Sequence, residues 1–208
     1  MVFDIGPSVD EAKAFYGTSI NFDRVTFKAS GLVFGPGTAW TANNTVRFKQ
    51  DAPPSTSTLI HELGHVWEHQ NGQTQLLKGF LEQALRALSR GKYDPYDFGG
   101  PAAVRAAVAA GRRLQSFNKE GQAQIIQERW KSQNGFAADR MGNAFTAEYV
   151  DDLGALVQAA GIGGALVPAT LPTVVTFLML PIDSTVAMVV NLVLGIAGLF
   201  GLERRIFA

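Results

Sequence analysis

Apolar and polar positions along this chain change their period twice. Residues 9–16, VDEAKAFY, read as a short helix. The runs RVTFK (24–28), GLVF (31–34) and NTVRF (44–48) then alternate with a period near two, and Gly-Pro-Gly and Asn-Asn separate them, as expected of short antiparallel strands. After Pro53-Pro54 the period lengthens to that of helices, predicted at 56–70, 75–90, 101–114, 119–133 and 143–158, with Asn71-Gly72 and Gly91 as stop signals. From Leu153 to Leu202 Asp183 is the only ionisable residue, and Gly161, Gly163, Gly164, Pro168, Pro172 and Pro181 interrupt an apolar sequence. The pattern predicts an α+β protein. A small antiparallel sheet is followed by a mainly helical domain ending near residue 158, and residues 159–208 form an apolar C-terminal helical hairpin.

The helix predicted at 56–70 has two unlike faces. Pro53 and Pro54 cannot lie inside it, and Ser55 to Thr58 are all able to cap it, so it begins just before Leu59. At about 100° per residue, Leu59, Ile60, Leu63, Val66 and Trp67 share one stripe. His61, Glu62, His65, Glu68 and His69 occupy the other side. The sequence His61-Glu62-x-x-His65 places two imidazoles one turn apart, where both can bind one Zn²⁺ and leave room for a third protein ligand and a water. Glu62, beside that water, can take its proton as it attacks a peptide carbonyl and pass it to the leaving amine. The alternative is a surface helix whose histidines face water. His69 does not fit the spacing of a further motif ligand and is expected to face solvent or support the site from outside.

Composition narrows the chemistry. The 208 residues suffice for a real core, and 18 Lys and Arg balance 18 Asp and Glu. That balance argues against nucleic acid as a partner, which calls for clustered cations. With no cysteine, any metal is held by His, Asp or Glu. The opening MVFDIGPSVDEAK lacks the apolar segment of a secretory signal peptide, so export calls for a signal-peptide-independent route or a larger parent chain. Tyr93 and Tyr96, in KYDPYDF, could set a phenol near a developing oxyanion, although tyrosines flanking Asp-Pro more often pack a turn. GIGG at 161–164 lacks the strand and acid of a dinucleotide site and reads as a hinge.

The order of NFDRVTF, LIHELGHVWEHQ, KYDPYDF and FNKEGQAQII resembles the predicted zinc metallopeptidase domains attached to Rhs and VgrG spike effectors of bacterial type VI secretion. The resemblance spans about residues 20–133. In the block usually written E-Q-Q-A, Glu120, Gln122 and Ala123 match and Gly121 departs. Glu68 and His69 stand where such domains more often carry glutamine and a variable residue. The resemblance implies a zincin-like, gluzincin-type endopeptidase acting on a protein or peptide substrate in a target-cell compartment. It also implies an antibacterial toxin with an immunity protein as partner.

A third zinc ligand must come from a later helix. Glu120 is favoured: it opens a helix after Asn118, a residue suited to capping, and Ala123 on the same face lets that helix come close. It also matches the block of the resembling domains. Glu148 is the rival, because Asp152 one turn on could orient a ligating histidine, as in gluzincins with a similar acid pair.

The apolar zone admits two readings. Residues 184–202 form an uncharged run of 19, long enough to cross a hydrocarbon core of about 30 Å, and 165–182 could pair with it. The prolines and small residues also suit a packed hairpin of a soluble multimer. Membrane contact through residues 159–202 and a delivery module with a catalytically silent metal site therefore stand as alternatives to the peptidase.

Overall fold

A computed structural model of the chain describes residues 5–30, 39–73, 94–138 and 144–163, all within one compact unit that spans residues 1–167. The helix expected at 75–90, the strand expected at 31–34, Tyr93 and the apolar zone from 164 onward lie outside the described residues. The architecture is α+β. Helix α1 (Gly6–Tyr16) leads to strand β1 (Thr26–Ser30), then β2 (Ala39–Ala42) and β3 (Thr45–Lys49). Among the described residues four helices follow: α2 (Thr56–Gln70), α3 (Gly100–Ala109), α4 (Lys119–Gln133) and α5 (Ala147–Ala159).

The sheet is mixed, which corrects the antiparallel expectation. Strand order is β1-β3-β2, with β1 parallel to β3 and only β2 antiparallel to it. The β2–β3 hairpin closes through Asn43-Asn44, and Asn43 takes φ 54°, a conformation asparagine tolerates better than most residues. Parallel pairing of β1 with β3 needs a crossover between them, which strand-scale alternation does not encode. β2 itself, in AWTA, was not anticipated.

Local chemistry explains the helix ends. Ser55 Oγ accepts from Thr58 N and Asn118 Oδ1 accepts from Gly121 N, so α2 and α4 start where their caps place them. The predicted ranges 56–70 and 119–133 coincide with these helices. α3 is shorter than the expected 101–114, because Gly111 adopts φ 59° and Arg112 N turns back to Ala107 O, closing the helix. α5 begins at Ala147 rather than 143, where Thr146 accepts from Tyr149 N.

α2 is the centre of the core. Leu59, Ile60, Leu63 and Val66 are fully buried and Trp67 nearly so, each worth about 1.5–3 kcal/mol of apolar transfer. α1 lies across it, where Tyr16 Oη donates to Ile60 O at 2.6 Å. β2 and β3 flank it, and α4 is its most extensive partner. α5 packs on α4 and α3, and Ile162, just beyond α5, is also fully buried in this core. Among the described residues no helix is long and apolar enough to cross a membrane.

Candidate metal centre

The polar side of α2 is not a solvent face. His61 and Glu62 are each 8% exposed and Glu68 is fully buried, because α4 and β2 pack over them. On this helix His61 and His65 stand one turn apart, their rings edge to face with centroids 5.1 Å apart.

α4 reaches them through a close crossing. A methyl group built on Gly64 would lie 3.1 Å from both Cα and Cβ of Ala123, so the helices touch where both residues are small. One turn before Ala123, Glu120 is thereby carried over both imidazoles. Its Oε2 lies 3.2 Å from His61 Nε2 and 3.3 Å from His65 Nε2. One ligand atom from each of the three residues falls within 4.8 Å of the others. Gly121 has its own reason: a side chain there would meet Asn118 Oδ1 at 2.6 Å and Phe98 Cβ at 3.1 Å.

Two neighbours orient the motif residues. His65 Nδ1 lies 3.2 Å from Glu68 Oε2, and Lys119 Nζ approaches the same oxygen at 3.9 Å. A carboxylate can only accept, so the Nδ1 proton of His65 points to Glu68 and Nε2 is the atom turned toward Glu120. Glu62 is held by the sheet: Thr41 Oγ1, on β2, lies 2.7 Å from Glu62 Oε2 and 3.1 Å from the Glu62 carbonyl oxygen. Tyr96 sits beside His61, its ring 5.8 Å from the imidazole and tilted by 39°. Its loop is fixed by an Asp94 side chain accepting from Tyr96 N and by Asn118 Nδ2 donating to Pro95 O.

The electrostatics follow from burial opposed by charge. Burial alone would lower the His65 pKa, but the carboxylates of Glu120 and Glu68 outweigh it and hold the imidazole well above its ordinary value. Burial would raise the Glu120 carboxyl, and the adjacent His65 and His61 reverse this, leaving it well below the usual range. A protonated His65 and the Glu120 carboxylate thus favour each other's charged form.

The remaining sequence candidates are elsewhere. Glu148 and Asp152 pair with Arg105, at 2.8 and 3.4 Å, and Glu148 is largely exposed, so neither joins the cluster. His69 is half-buried and outside it. Gly161 takes φ 79° where α5 ends, and Ile162 N bonds back to Val157 O, which makes that glycine a helix stop. The parts of Glu68, Lys119 and Thr41 were missed. The i,i+3 spacing of His65 and Glu68 signalled the first, and nothing in the sequence tied Thr41 to Glu62.

No protein-family model matches the chain, and no solved structure matches it. In an alignment of 146 positions that covers 64% of its length, the chain is 27% identical to the type VI secretion system spike protein VgrG2b of Pseudomonas aeruginosa. The chain matches only 13% of that protein.

Proposed function

We propose that the chain is a zincin-like, gluzincin-type endopeptidase domain in which His61, His65 and Glu120 hold zinc and Glu62 is the general base. The observation that carries the reading is the gathering of two imidazoles and one carboxylate around a single point, with the carboxylate of Glu62 next to it in sequence and held by Thr41. Nitrogen and oxygen donors without thiolate suit a divalent ion. Three protein ligands rather than four match catalytic zinc sites, which keep a position open, better than closed structural ones. When bound, zinc would polarise the scissile carbonyl and make a water acidic enough to attack it near neutral pH.

The chain's own residues supply the rest. Glu62 takes the proton of the attacking water on a carboxylate oxygen and delivers it to the amine nitrogen as the C–N bond breaks, so it ends the cycle as it began. Glu68 holds His65 in the tautomer that leaves Nε2 free. Among the described strands β2 is an edge, and an extended peptide laid along it could add main-chain hydrogen bonds beside the base. Tyr96 is near enough to His61 to line the same space.

The similarity to a type VI secretion spike protein supports delivery with that machinery. Action on a protein in a target-cell compartment, with an immunity protein as partner in the producing cell, belongs to the same proposal. The test is digestion of a diverse peptide library by the purified protein, before and after chelation, together with metal analysis. Cleavage that disappears with the metal and returns with zinc supports the reading. A zinc-loaded protein that cleaves nothing contradicts it.

A further inference from the structure

We infer that Thr41 is a positioning residue for the reaction, fixing which oxygen of Glu62 handles the proton; the inference rests on the peptidase reading above. Thr41 lies on β2, 21 positions before Glu62, and its hydroxyl is the hydrogen-bonding group set against that carboxylate. The 2.7 Å separation from Glu62 Oε2 is that of a strong bond to a charged acceptor. With Oε2 engaged by Thr41, Oε1 is the oxygen that takes the proton of the attacking water.

The second contact explains why a hydroxyl suits this place. Oγ1 is also 3.1 Å from the carbonyl oxygen of Glu62 itself. A threonine has one proton to donate, so it can serve the carboxylate while Glu62 is charged. Once Glu62 carries the water's proton on Oε1, the attraction of Oε2 weakens, and the hydroxyl proton can turn to the carbonyl without any heavy atom moving. Transfer of the proton to the amine restores the first arrangement. The β-branch of threonine limits its rotamers, which keeps the hydroxyl over Glu62 and suits a strand residue. A base placed by a strand and a helix together is held against drift on either one, and misplacement of a reacting group by about 1 Å can cost a hundredfold in rate.

The experiment compares wild type, Thr41→Val and Thr41→Ser for zinc content, thermal midpoint and steady-state cleavage of an internally quenched peptide chosen from the wild-type library digest. The valine variant keeps the shape of the side chain and removes the donor. It is expected to retain one zinc per chain and a KM within about twofold of wild type, while kcat falls roughly 10- to 100-fold. The serine variant is expected to recover most of that loss. If Thr41→Val loses zinc and folding stability and the serine variant does not restore kcat, the threonine is a structural tie only and the inference is overturned. Unchanged kcat in a zinc-loaded valine variant overturns it as well. Wild-type protein that binds zinc and cleaves no peptide overturns the peptidase reading, and this inference with it.

Discussion

Gly64 and Ala123 meet at the crossing of α2 and α4 so closely that one added methyl group would stand 3.1 Å from backbone on the facing helix. That contact sets the distance from which Glu120 approaches His61 and His65. In most helix interiors, replacing glycine stabilises by up to about 1 kcal/mol. Here Gly64→Val forces the helices apart, so a loss of about 1–3 kcal/mol in urea unfolding is expected, together with weaker zinc binding in a competition titration. A variant as stable as wild type with full zinc affinity would show that the crossing does not position Glu120.

Glu68→Gln keeps an acceptor for His65 Nδ1 but removes a buried charge, and Glu68→Ala removes both. Zinc affinity is expected to fall about 10- to 100-fold in the alanine variant and less in the glutamine variant. The alanine change also strips Lys119 of a neighbouring carboxylate, so it should cost more stability than glutamine. Equal zinc affinities for all three proteins would remove Glu68 from the account.

Glu120→Ala should weaken zinc binding far more than Glu148→Ala, because Glu148 spends its charge on Arg105 at an exposed site. Isothermal titration with zinc decides the comparison. Greater damage from Glu148→Ala would reverse the ligand assignment.

These assignments show which parts of the molecule could be read from sequence. The limits of α2 and α4 were legible because Pro53-Pro54 is followed by capping residues and Asn118 can cap a helix, although only the structure picks Ser55 from Ser55 to Thr58; Ala123 was legible as a small residue on the face of Glu120. The end of α3 was written in Gly111, but a helix extended through it fits the apolar pattern equally well. Helical periodicity sorted Glu68 onto the polar side of α2 without revealing that a second helix covers that side. The parallel β1–β3 pairing and the reach of Thr41 to Glu62 depend on contacts between distant segments, which no local spacing records.

Zinc binding should release protons. His65 must be neutral to bind a metal, yet in the metal-free chain Glu120 and Glu68 raise its pKa despite burial. The sign follows for stability as well. The raised His65 pKa stabilises the metal-free fold fully below the unfolded value of about 6.5, and this contribution fades as pH rises through the folded value. The lowered Glu120 pKa adds stability above the unfolded glutamate value that is lost only on strong acidification. Zinc affinity should therefore fall as pH decreases, with proton release detectable as a buffer-dependent heat of binding. An affinity independent of pH through the acidic range would contradict this competition.

The most direct measurement pairs zinc content with peptide cleavage in Glu62→Gln. The substitution leaves His61, His65 and Glu120 in place and keeps an acceptor for Thr41, while removing the group that moves the proton. The account predicts one zinc per chain, a wild-type thermal midpoint and a loss of cleavage of at least about a hundredfold. Undiminished cleavage by the zinc-loaded variant would contradict the assignment of Glu62 as the base, and with it the mechanism.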